Sequence, residues 1–422
     1  MAEPIADSET TEPVQADAPA QGAVLRALLR LGEAFTFRAF RNLWTAAFTS
    51  AVGTWMQRFA QQWLIYDLTG SAFYLGLDMF VGNLPLLLFT LIGGVTADRY
   101  DRRHMLMASQ TLQMVCALIL TALVFTETVR LPYILVLSFT TGLAQAFGGP
   151  AFQSLIPALV PRRTLPNAVA LNSIQFNLAQ SVGPLIGGLV FTTLGLVACF
   201  GINSASFLVV IVVLSLLQVT PPDPAQRRPV LEELKGGLRY VGNGGALLAL
   251  TILAISTTSL GLPIRAFLPV FAGDPNTLSQ MMTSLGTGAV AGALVVAWLG
   301  SFERMGLTLL RVLAGFGGLI SLFALLPVSP VSYVLLFLAG GALLIVFSLT
   351  ASLVQLNVPD ELRGRVMSIY LMAFRGGMPL GSLASGYLTT YASTPTVIAV
   401  NGGLLVLVAL YFLARSHGIR EL

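Results

Sequence analysis

The chain has 422 residues, of which 55% are hydrophobic and 10% are charged, and its mean hydropathy is +0.80. Soluble globular proteins carry roughly 25% charged residues, so this composition excludes a soluble fold and indicates a membrane protein. Two cysteines and two histidines, scattered along the chain, provide neither a disulfide framework nor a metal cluster, and no P-loop for ATP hydrolysis occurs. We therefore expect no metal and no cofactor.

The first 41 residues differ from the apolar remainder. Residues 1–21 are rich in Ala, Pro, Thr and acids, and because they cannot bury a core we expect a disordered cytoplasmic tail. They do not have the pattern of a removable signal peptide. Residues 22–41 interleave four arginines with Leu and Phe, a pattern typical of an amphipathic helix that lies on the inner membrane surface.

Twelve continuous apolar stretches follow in chain order. Each is long enough to cross a hydrocarbon core about 30 Å thick as a helix, whereas the strands of a membrane barrel alternate in polarity. The stretches are centred near Gly53, Leu86, Met114, Ser138, Ala179, Val209, Ser256, Gly292, Gly317, Leu343, Gly377 and Leu404. The sequence therefore predicts an all-α membrane protein with twelve transmembrane helices.

A Pro-rich break divides these stretches into two sets of six. We expect an N-terminal half at residues 42–219, a cytoplasmic central loop at 220–245, a C-terminal half at 246–415 and a short cytoplasmic tail at 416–422. Related halves with a substrate site between them are common in transporters.

Two short similarities support an internal duplication. The segment SLIPALVP, which ends at Pro161, matches SLVQLNVP, which ends at Pro359, at an offset of 198 residues. Downstream, Gly183-Pro184-Leu185 matches Met378-Pro379-Leu380 at an offset of 195. The fourth and fifth helices therefore correspond to the tenth and eleventh.

Basic residues set the expected topology. Of the 23 Lys and Arg, 19 fall at the termini and in alternate connections, whereas the opposite connections hold only Arg130. The positive-inside rule then places both termini in the cytoplasm and the protein in the cell (inner) membrane as a multi-pass chain. This arrangement explains the pI of about 9.3 without nucleic-acid binding, which we do not expect.

The connection between the second and third stretches is unusually charged and carries a recognisable motif. It reads GGVTADRYDRRH, and it resembles the signature G-x-x-x-D-R-x-x-R-R of the major facilitator superfamily. The matching residues are Gly94, Asp98, Arg99, Arg102 and Arg103. The resemblance implies a twelve-helix transporter and extends over roughly residues 38–415.

The fifth stretch resembles the motif associated with antiporters of that superfamily. Gly183, Pro184, Gly187 and Gly188 match its GPxxGG end, while Ala170 and Ala179 replace upstream glycines. Ala179, Gly183 and Gly187 form a stripe of small residues that allows close helix packing, and Pro184 favours a kink. The segments FRNLW, YDLTGS, GGPAFQSLIPALVP and PDELRGRVMS are similar to the branch that includes the enterobactin exporter and macrolide efflux proteins.

The charged connection suggests a cytoplasmic gate. Asp98 ends a helix where its carboxylate is expected to approach the N-terminus of the eleventh helix near Arg363. Arg102 and Arg103 are expected to reach acids across the two halves, so that the group acts as a latch when the cavity faces outward. The alternative is that these arginines only anchor a short loop to anionic lipid.

Four ionisable residues lie inside the predicted helices and indicate the cargo path, because charged groups in a membrane face a cavity or a partner. They are Arg58, flanked by Gln57 and Gln61, and Asp78, Arg265 and Arg375. Buried interhelical pairing is the alternative for Arg58 and Arg375, and snorkelling to the interface is the alternative for Arg265. Proton coupling needs a group that gains and loses a proton, so Asp78 is the candidate proton carrier.

These features together favour a secondary transporter that exports a small organic compound by proton antiport, and we expect a monomer in the lipid bilayer. A facilitator or importer of the same fold, for example of lysolipids, is the first alternative. A membrane enzyme is the second, although it would need clustered acids or histidines that the helices lack. The third is a scaffold or receptor-like module, in which Arg58 and Asp78 would not affect transport.

Overall fold

The computed structural model describes residues 32–217, 245–300, 302–326, 328–415 and 418–419. The expected disordered tail, most of the expected amphipathic helix and nearly all of the central loop and C-terminal tail lie outside these residues. Residues Glu33–Thr36 form a short 3-10 helix, and the first long helix begins at Arg38. The last residues of the segment expected to lie on the membrane surface thus belong to the first long helix. Their place in the bundle is fixed by the buried side chains of Phe40 and Leu43.

Twelve long helices are present in the described part of the chain, and each expected centre lies within one of them. They are α1 (Arg38–Thr69), α2 (Ala72–Arg99), α3 (Arg102–Phe125), α4 (Leu131–Leu159), α5 (Leu165–Leu194), α6 (Leu196–Leu216), α7 (Gly245–Ala272), α8 (Pro275–Leu299), α9 (Met305–Leu325), α10 (Pro330–Leu356), α11 (Asp360–Leu388) and α12 (Thr394–Ala414). A π-helical turn, Thr257–Gly261, interrupts α7.

Ten of these helices are long and apolar enough to cross a membrane. The other two, α1 and α11, fall short in apolarity because they carry charged and polar side chains along their length. In α1 these include Gln57, Arg58 and Gln61, and in α11 they include Arg375. These two helices, the most polar of the twelve, both contribute to the cavity described below.

The two sets of six helices repeat the same packing. Helix α4 lies close to α2, where a Cβ on Gly142 would meet the carbonyl of Gly82. Helix α10 lies close to α8 in the same way, where a Cβ on Gly340 would meet the carbonyl of Leu285. Gly142 and Gly340 are separated by the 198-residue offset found in the sequence repeat, which supports an internal duplication.

The bundle has two ends, defined by the connections between helices. We call the end with the α2–α3 connection the basic end, and the end with the α1–α2 connection the opposite end. Near the opposite end, a Cβ on Gly76 of α2 would meet the backbone of Ser382 in α11, and a Cβ on Gly188 of α5 would overlap the Ser279 side chain of α8. Close helix packing therefore seals the two sets of helices together at the opposite end.

Candidate functional site

A cavity of about 1410 Å³ lies between the two sets of six helices. Its lining extends from Arg58 and Met378, in the middle of their helices, to Arg99 and Gln153, near the basic end. Helices α1 to α6, α7 and α11 all contribute to it. Because packing seals the opposite end, the cavity opens toward the basic end.

A smaller chamber of about 160 Å³ continues from the cavity toward the opposite end. The structure brings five of the residues selected from the sequence together around it. They are Gln57, Arg58, Gln61, Asp78 and Arg265. Three helices supply them: α1 the first three, α2 the acid and α7 the second arginine. The sixth, Arg375, lines the larger cavity instead.

Asp78 is buried, and its carboxylate accepts hydrogen bonds from two neighbouring helices. Gln61 Nε2 donates to both oxygens, at 3.1 Å each. The Ser138 hydroxyl of α4 donates to Oδ1 at 2.5 Å and also accepts from Gln61 Nε2 at 2.8 Å. The carboxylate therefore links α1, α2 and α4, so a change in its charge changes the contacts among all three helices.

Arg58 lies between an aromatic ring and the acid. Its guanidinium carbon is 4.9 Å from the centre of the Trp55 ring, a cation–π contact. It also interacts electrostatically with Asp78. Within the described residues the single ion pair shorter than 4.0 Å is His104 with Asp101, so the attraction between Arg58 and Asp78 acts over a longer distance.

Arg265 faces the chamber and α5, and not the membrane surface that a snorkelling side chain would reach. With the Gln180 amide oxygen turned toward it, both terminal guanidinium nitrogens donate to that oxygen. Its Nε is buried and has no hydrogen-bond partner. The charge that acts on it within the bundle is that of Arg58, which has the same sign.

The remaining sequence-selected groups near the cavity have separate positions. Gln57 Oε1 accepts a hydrogen bond from Asn203 Nδ2 of α6 at 2.6 Å, which joins the two helices. Arg375 is exposed on the wall of the larger cavity, and Arg99 is exposed near its basic end. The cavity wall is therefore positively charged from its mouth to its closed end.

The small-residue stripe of α5 packs against two helices. A Cβ on Gly183 would overlap the Trp55 Cβ of α1, and one on Gly187 would lie 2.8 Å from Phe59. On the other side, Ser279 of α8 donates to the Pro184 carbonyl at 2.9 Å, and a Cβ on Gly188 would overlap the Ser279 side chain. Ala179 is fully buried, so this stripe joins α1, α5 and α8.

The arginines of the charged connection bind backbone carbonyls within the first six helices. Arg102 donates to the Ala97 carbonyl at 3.3 Å and to the Ser154 carbonyl at 3.1 Å, and Arg103 donates to the Ser215 carbonyl at 2.7 Å. Carbonyls in the last turn of a helix lack intrahelical donors and carry partial negative charge, so guanidinium groups stabilise those of Ala97 and Ser215. The Ser154 carbonyl lies farther from the end of α4.

The predicted gate also includes Gly94, Asp98 and Arg363. The side chains of Asp98 and Arg363 lie outside the described residues. Gly94 lines the cavity and has open space around it. The latch across the two halves thus stays a prediction.

A match to a family model covers nearly all of the chain. The model, described as transmembrane secretion effector, matches residues 33–418. The chain belongs to this family of the major facilitator superfamily. It is a multi-pass membrane transporter and not an enzyme, as the matched family and its named exporter relatives indicate.

Relatives of the chain include named exporters. The multidrug efflux pump Tap of Mycolicibacterium fortuitum is 30% identical over 393 residues, which are 89% of this chain and 95% of that protein. The enterobactin exporter EntS of Escherichia coli O1:K1 / APEC is 26% identical over 394 residues, which are 92% of this chain and 94% of that protein. The crystal structure of the nucleoside transporter NupG has a TM-score of 0.69 at 15% identity, covering 89% of this chain and 98% of that one. The last similarity supports the fold alone.

Two residues of the site could not be selected from the sequence. Ser138 is one of several hydroxyl residues in α4, and serines in helices commonly bond to their own backbone. Trp55 could not be distinguished, from the sequence, from an aromatic residue that faces lipid. Gln180 was only weakly indicated as a site residue, since it is one of several side-chain amides on α5. Its pairing with Arg265 depends on the close contact of helices that are distant in sequence.

Asp101 in the charged connection between α2 and α3 provides a pH-dependent test of helix capping. Its carboxylate accepts from the Arg103 and His104 amides at 2.8 and 3.4 Å. Partial burial opposes ionisation, but these hydrogen bonds and His104 outweigh it and lower the pKa of Asp101 below its ordinary value. Asp101→Ala is expected to cost about 1 kcal/mol of stability.

Since the pKa is lowered in the folded state, this contribution is complete above the unfolded pKa and is lost as pH falls through the folded one. Thermal unfolding of the purified protein at pH 7 and at pH 3 checks it. The difference between wild type and variant should shrink at low pH, and a constant difference would contradict the capping role.

Proposed function

We propose that this protein exports a small organic compound across the cytoplasmic membrane in exchange for protons. The observation that carries the proposal is a buried carboxylate, Asp78, at the closed end of a cavity that opens toward one end of the bundle. Among the described residues that line the cavity and chamber, it is the one acid. The names of Tap and EntS, an efflux pump and an exporter, support outward transport.

The direction in which the cavity faces follows from the basic residues. The positive-inside rule assigns the basic end and both termini to the cytoplasm, so we propose that the structure is an inward-facing state that accepts cargo from the cell. Export then requires the contacts of α2 with α11 and of α5 with α8 to separate. We propose that residues 42–219 rock against 246–415 to achieve this.

The proposed proton step takes place at Asp78. In its ionised form the carboxylate accepts from Gln61 and Ser138 and attracts Arg58. Protonation removes the charge and an acceptor position, which weakens the connection among α1, α2 and α4. Cargo and proton thus act on the same junction of helices, as exchange requires. All of these groups belong to one chain, so we expect a monomer to be sufficient.

The basic end is proposed to close through a latch between Asp98 and Arg363. In the inward-facing state the latch would be disengaged, and it would form when the cavity opens outward. A double-mutant cycle with Asp98→Asn and Arg363→Gln tests this by measuring transport. We expect the two changes to be non-additive by about 0.5–3 kcal/mol, the range for interacting residues. Strictly additive effects would argue against the latch.

Everted membrane vesicles provide the experiment that tests export. Vesicles with an imposed acid interior are given a panel of siderophores, macrolides and amphoteric drugs. At least one compound should accumulate inside, and an ionophore that collapses the pH gradient should release it. Uptake that stops at equal concentrations and ignores the ionophore would indicate a facilitator, and movement only out of the vesicles would indicate an importer.

A further inference from the structure

We propose that the cargo is an amphoteric organic compound, whose acidic group binds Arg265 and Arg58 and whose amine binds Asp78. This inference rests on the proposed function, since it takes the cavity as the cargo site and Asp78 as the exchange site. It adds the chemical class of the cargo and the residues that recognise each charged group.

The first observation is the charge of the cavity wall. Among the described residues that line the cavity and chamber, four are arginines, Arg58, Arg99, Arg265 and Arg375, and one is an acid, Asp78. A cleft of one sign with low-dielectric walls focuses its field and concentrates ligands of the opposite sign. The path from the basic end to the chamber therefore attracts an acidic group.

The second observation is the incomplete pairing of Arg265. Its two terminal nitrogens share a single neutral acceptor, the Gln180 oxygen, and its buried Nε has no partner. The described part of the chain places no carboxylate within 4.0 Å of it, and the neighbouring charge is Arg58, which repels it. A guanidinium held in this way can bind a carboxylate or sulfonate with charge-assisted hydrogen bonds. An anion between Arg58 and Arg265 would also relieve their mutual repulsion.

The third observation is the unused accepting capacity of Asp78. Oδ1 accepts from Gln61 and Ser138, whereas Oδ2 accepts from Gln61 alone. An ionised carboxylate has about four acceptor positions, so it can accept a hydrogen bond from an ammonium group of the cargo. Such a group and a proton compete for the same oxygens, and this competition is what exchange of cargo for protons requires.

The groups that face Asp78 exclude a cargo with an acidic group alone. Helix α1 presents Gln61 and Arg58, α4 presents Ser138, and α7 presents Arg265 to the chamber. Helix α11 meets α2 near Gly76 through the backbone of Ser382, and its Arg375 lines the larger cavity. A single negative charge beside Arg58 would favour the protonated form of Asp78. Such a cargo would bind together with the proton instead of replacing it.

The sizes of the two spaces fit the division of the cargo into a charged head and an apolar body. The chamber of about 160 Å³ has room for a small group that carries both charges. The larger cavity, about 1410 Å³, offers the aromatic and aliphatic surfaces of Trp55, Phe176, Phe374 and Met378 to the remainder.

Three fluorescent probes with one body and different charges test the inference. They are Nε-dansyl-lysine, which has both charges, its methyl ester, which keeps the amine, and its Nα-acetyl derivative, which keeps the acid. Binding is measured with the full chain in nanodiscs of zwitterionic lipid, with empty nanodiscs subtracted. Dansyl-lysine is expected to bind about tenfold more tightly than either derivative, because it alone completes both charge-assisted contacts.

Variants assign each charge to its residue. Arg265→Gln should weaken dansyl-lysine and the acetyl derivative by about tenfold and should strengthen the ester, since it removes a like charge, whereas Arg265→Lys should retain part of the affinity. Asp78→Asn should weaken dansyl-lysine and the ester but strengthen the acetyl derivative, since it removes a like charge. Arg311→Gln, an exposed residue of α9 outside the cavity lining, is the control and should change nothing.

The outcomes separate this inference from the proposed function. Equal binding of the three probes, no binding above empty nanodiscs, or a charge preference that survives Arg265→Gln would overturn the inference. Proton-driven accumulation in vesicles could still be intact in that case, which leaves the proposed function standing. Charge recognition without proton-driven accumulation would overturn proton exchange instead.

Discussion

Asp78→Asn is expected to abolish proton-driven accumulation of cargo while preserving exchange of cargo for cargo at saturating concentration. The asparagine side chain has nearly the same shape and still accepts from Gln61 or Ser138, so the junction of α1, α2 and α4 is retained. Asparagine cannot gain or lose a proton, so the imposed pH gradient can no longer drive cargo movement through this residue. We expect accumulation in proteoliposomes to fall to the level of protein-free vesicles.

A nearby acid supplies the matched control for this prediction. Asp67 is on the same hairpin of helices, at the opposite end of α1, but it is exposed and does not line the cavity. Asp67→Asn should leave accumulation within about twofold of wild type, as expected for a surface substitution. Gradient-driven accumulation by the Asp78→Asn protein would show that the proton binds elsewhere, and would return Asp78 to a structural role.

Gly183→Ala is expected to reduce both stability and transport, because α5 cannot keep its distance from α1. The new Cβ would overlap the Trp55 Cβ and would lie 3.0 Å from the Val52 carbonyl and 3.2 Å from the Met56 amide nitrogen. Backbone atoms cannot rotate away, so the helices must separate. Overpacking of this kind costs about 1–3 kcal/mol. Thermal unfolding in detergent and transport in proteoliposomes measure the two effects.

The same substitution in open space separates overpacking from the general effect of replacing glycine. Gly315 of α9 has no atom within 4 Å of the position where a Cβ would be placed. Gly315→Ala should be neutral or stabilise the helix by about 0.5–1 kcal/mol. Equal unfolding temperatures for the Gly183→Ala and Gly315→Ala proteins would show that close approach of α5 to α1 is not required.

The fold was largely predictable from the sequence because a lipid bilayer imposes a simple rule. A backbone in hydrocarbon must satisfy its own hydrogen bonds, so each long apolar stretch becomes a helix. This rule located all twelve long helices in the described part of the chain, including α1 and α11, whose polar side chains lower their apolarity. It could not locate the π-helical turn Thr257–Gly261, since a single extra residue per turn leaves no trace in a pattern of uniformly apolar residues.

The charged residues of the candidate site could be predicted from the sequence, but their contacts with other helices could not. The cost of charge in a membrane made Arg58, Asp78 and Arg265 conspicuous, and all three line one chamber. Their partners were hidden because Ser138 and Gln180 are on helices that meet them only after folding. The sequence suggested that Arg102 and Arg103 reach acids across the two halves, or else anchor the connection to lipid. Their observed partners are backbone carbonyls of Ser154 and Ser215, within the same set of six helices.

The central claim is that cargo and protons move in opposite directions through one site. The most direct test encloses the purified protein in liposomes with a pH-sensitive dye inside and no initial pH gradient, and then adds dansyl-lysine outside. Antiport predicts that the interior becomes more alkaline as cargo enters, at a rate that rises with cargo concentration and is absent with Asp78→Asn. Entry of cargo with a more acid interior, or with no change in internal pH, would contradict the account.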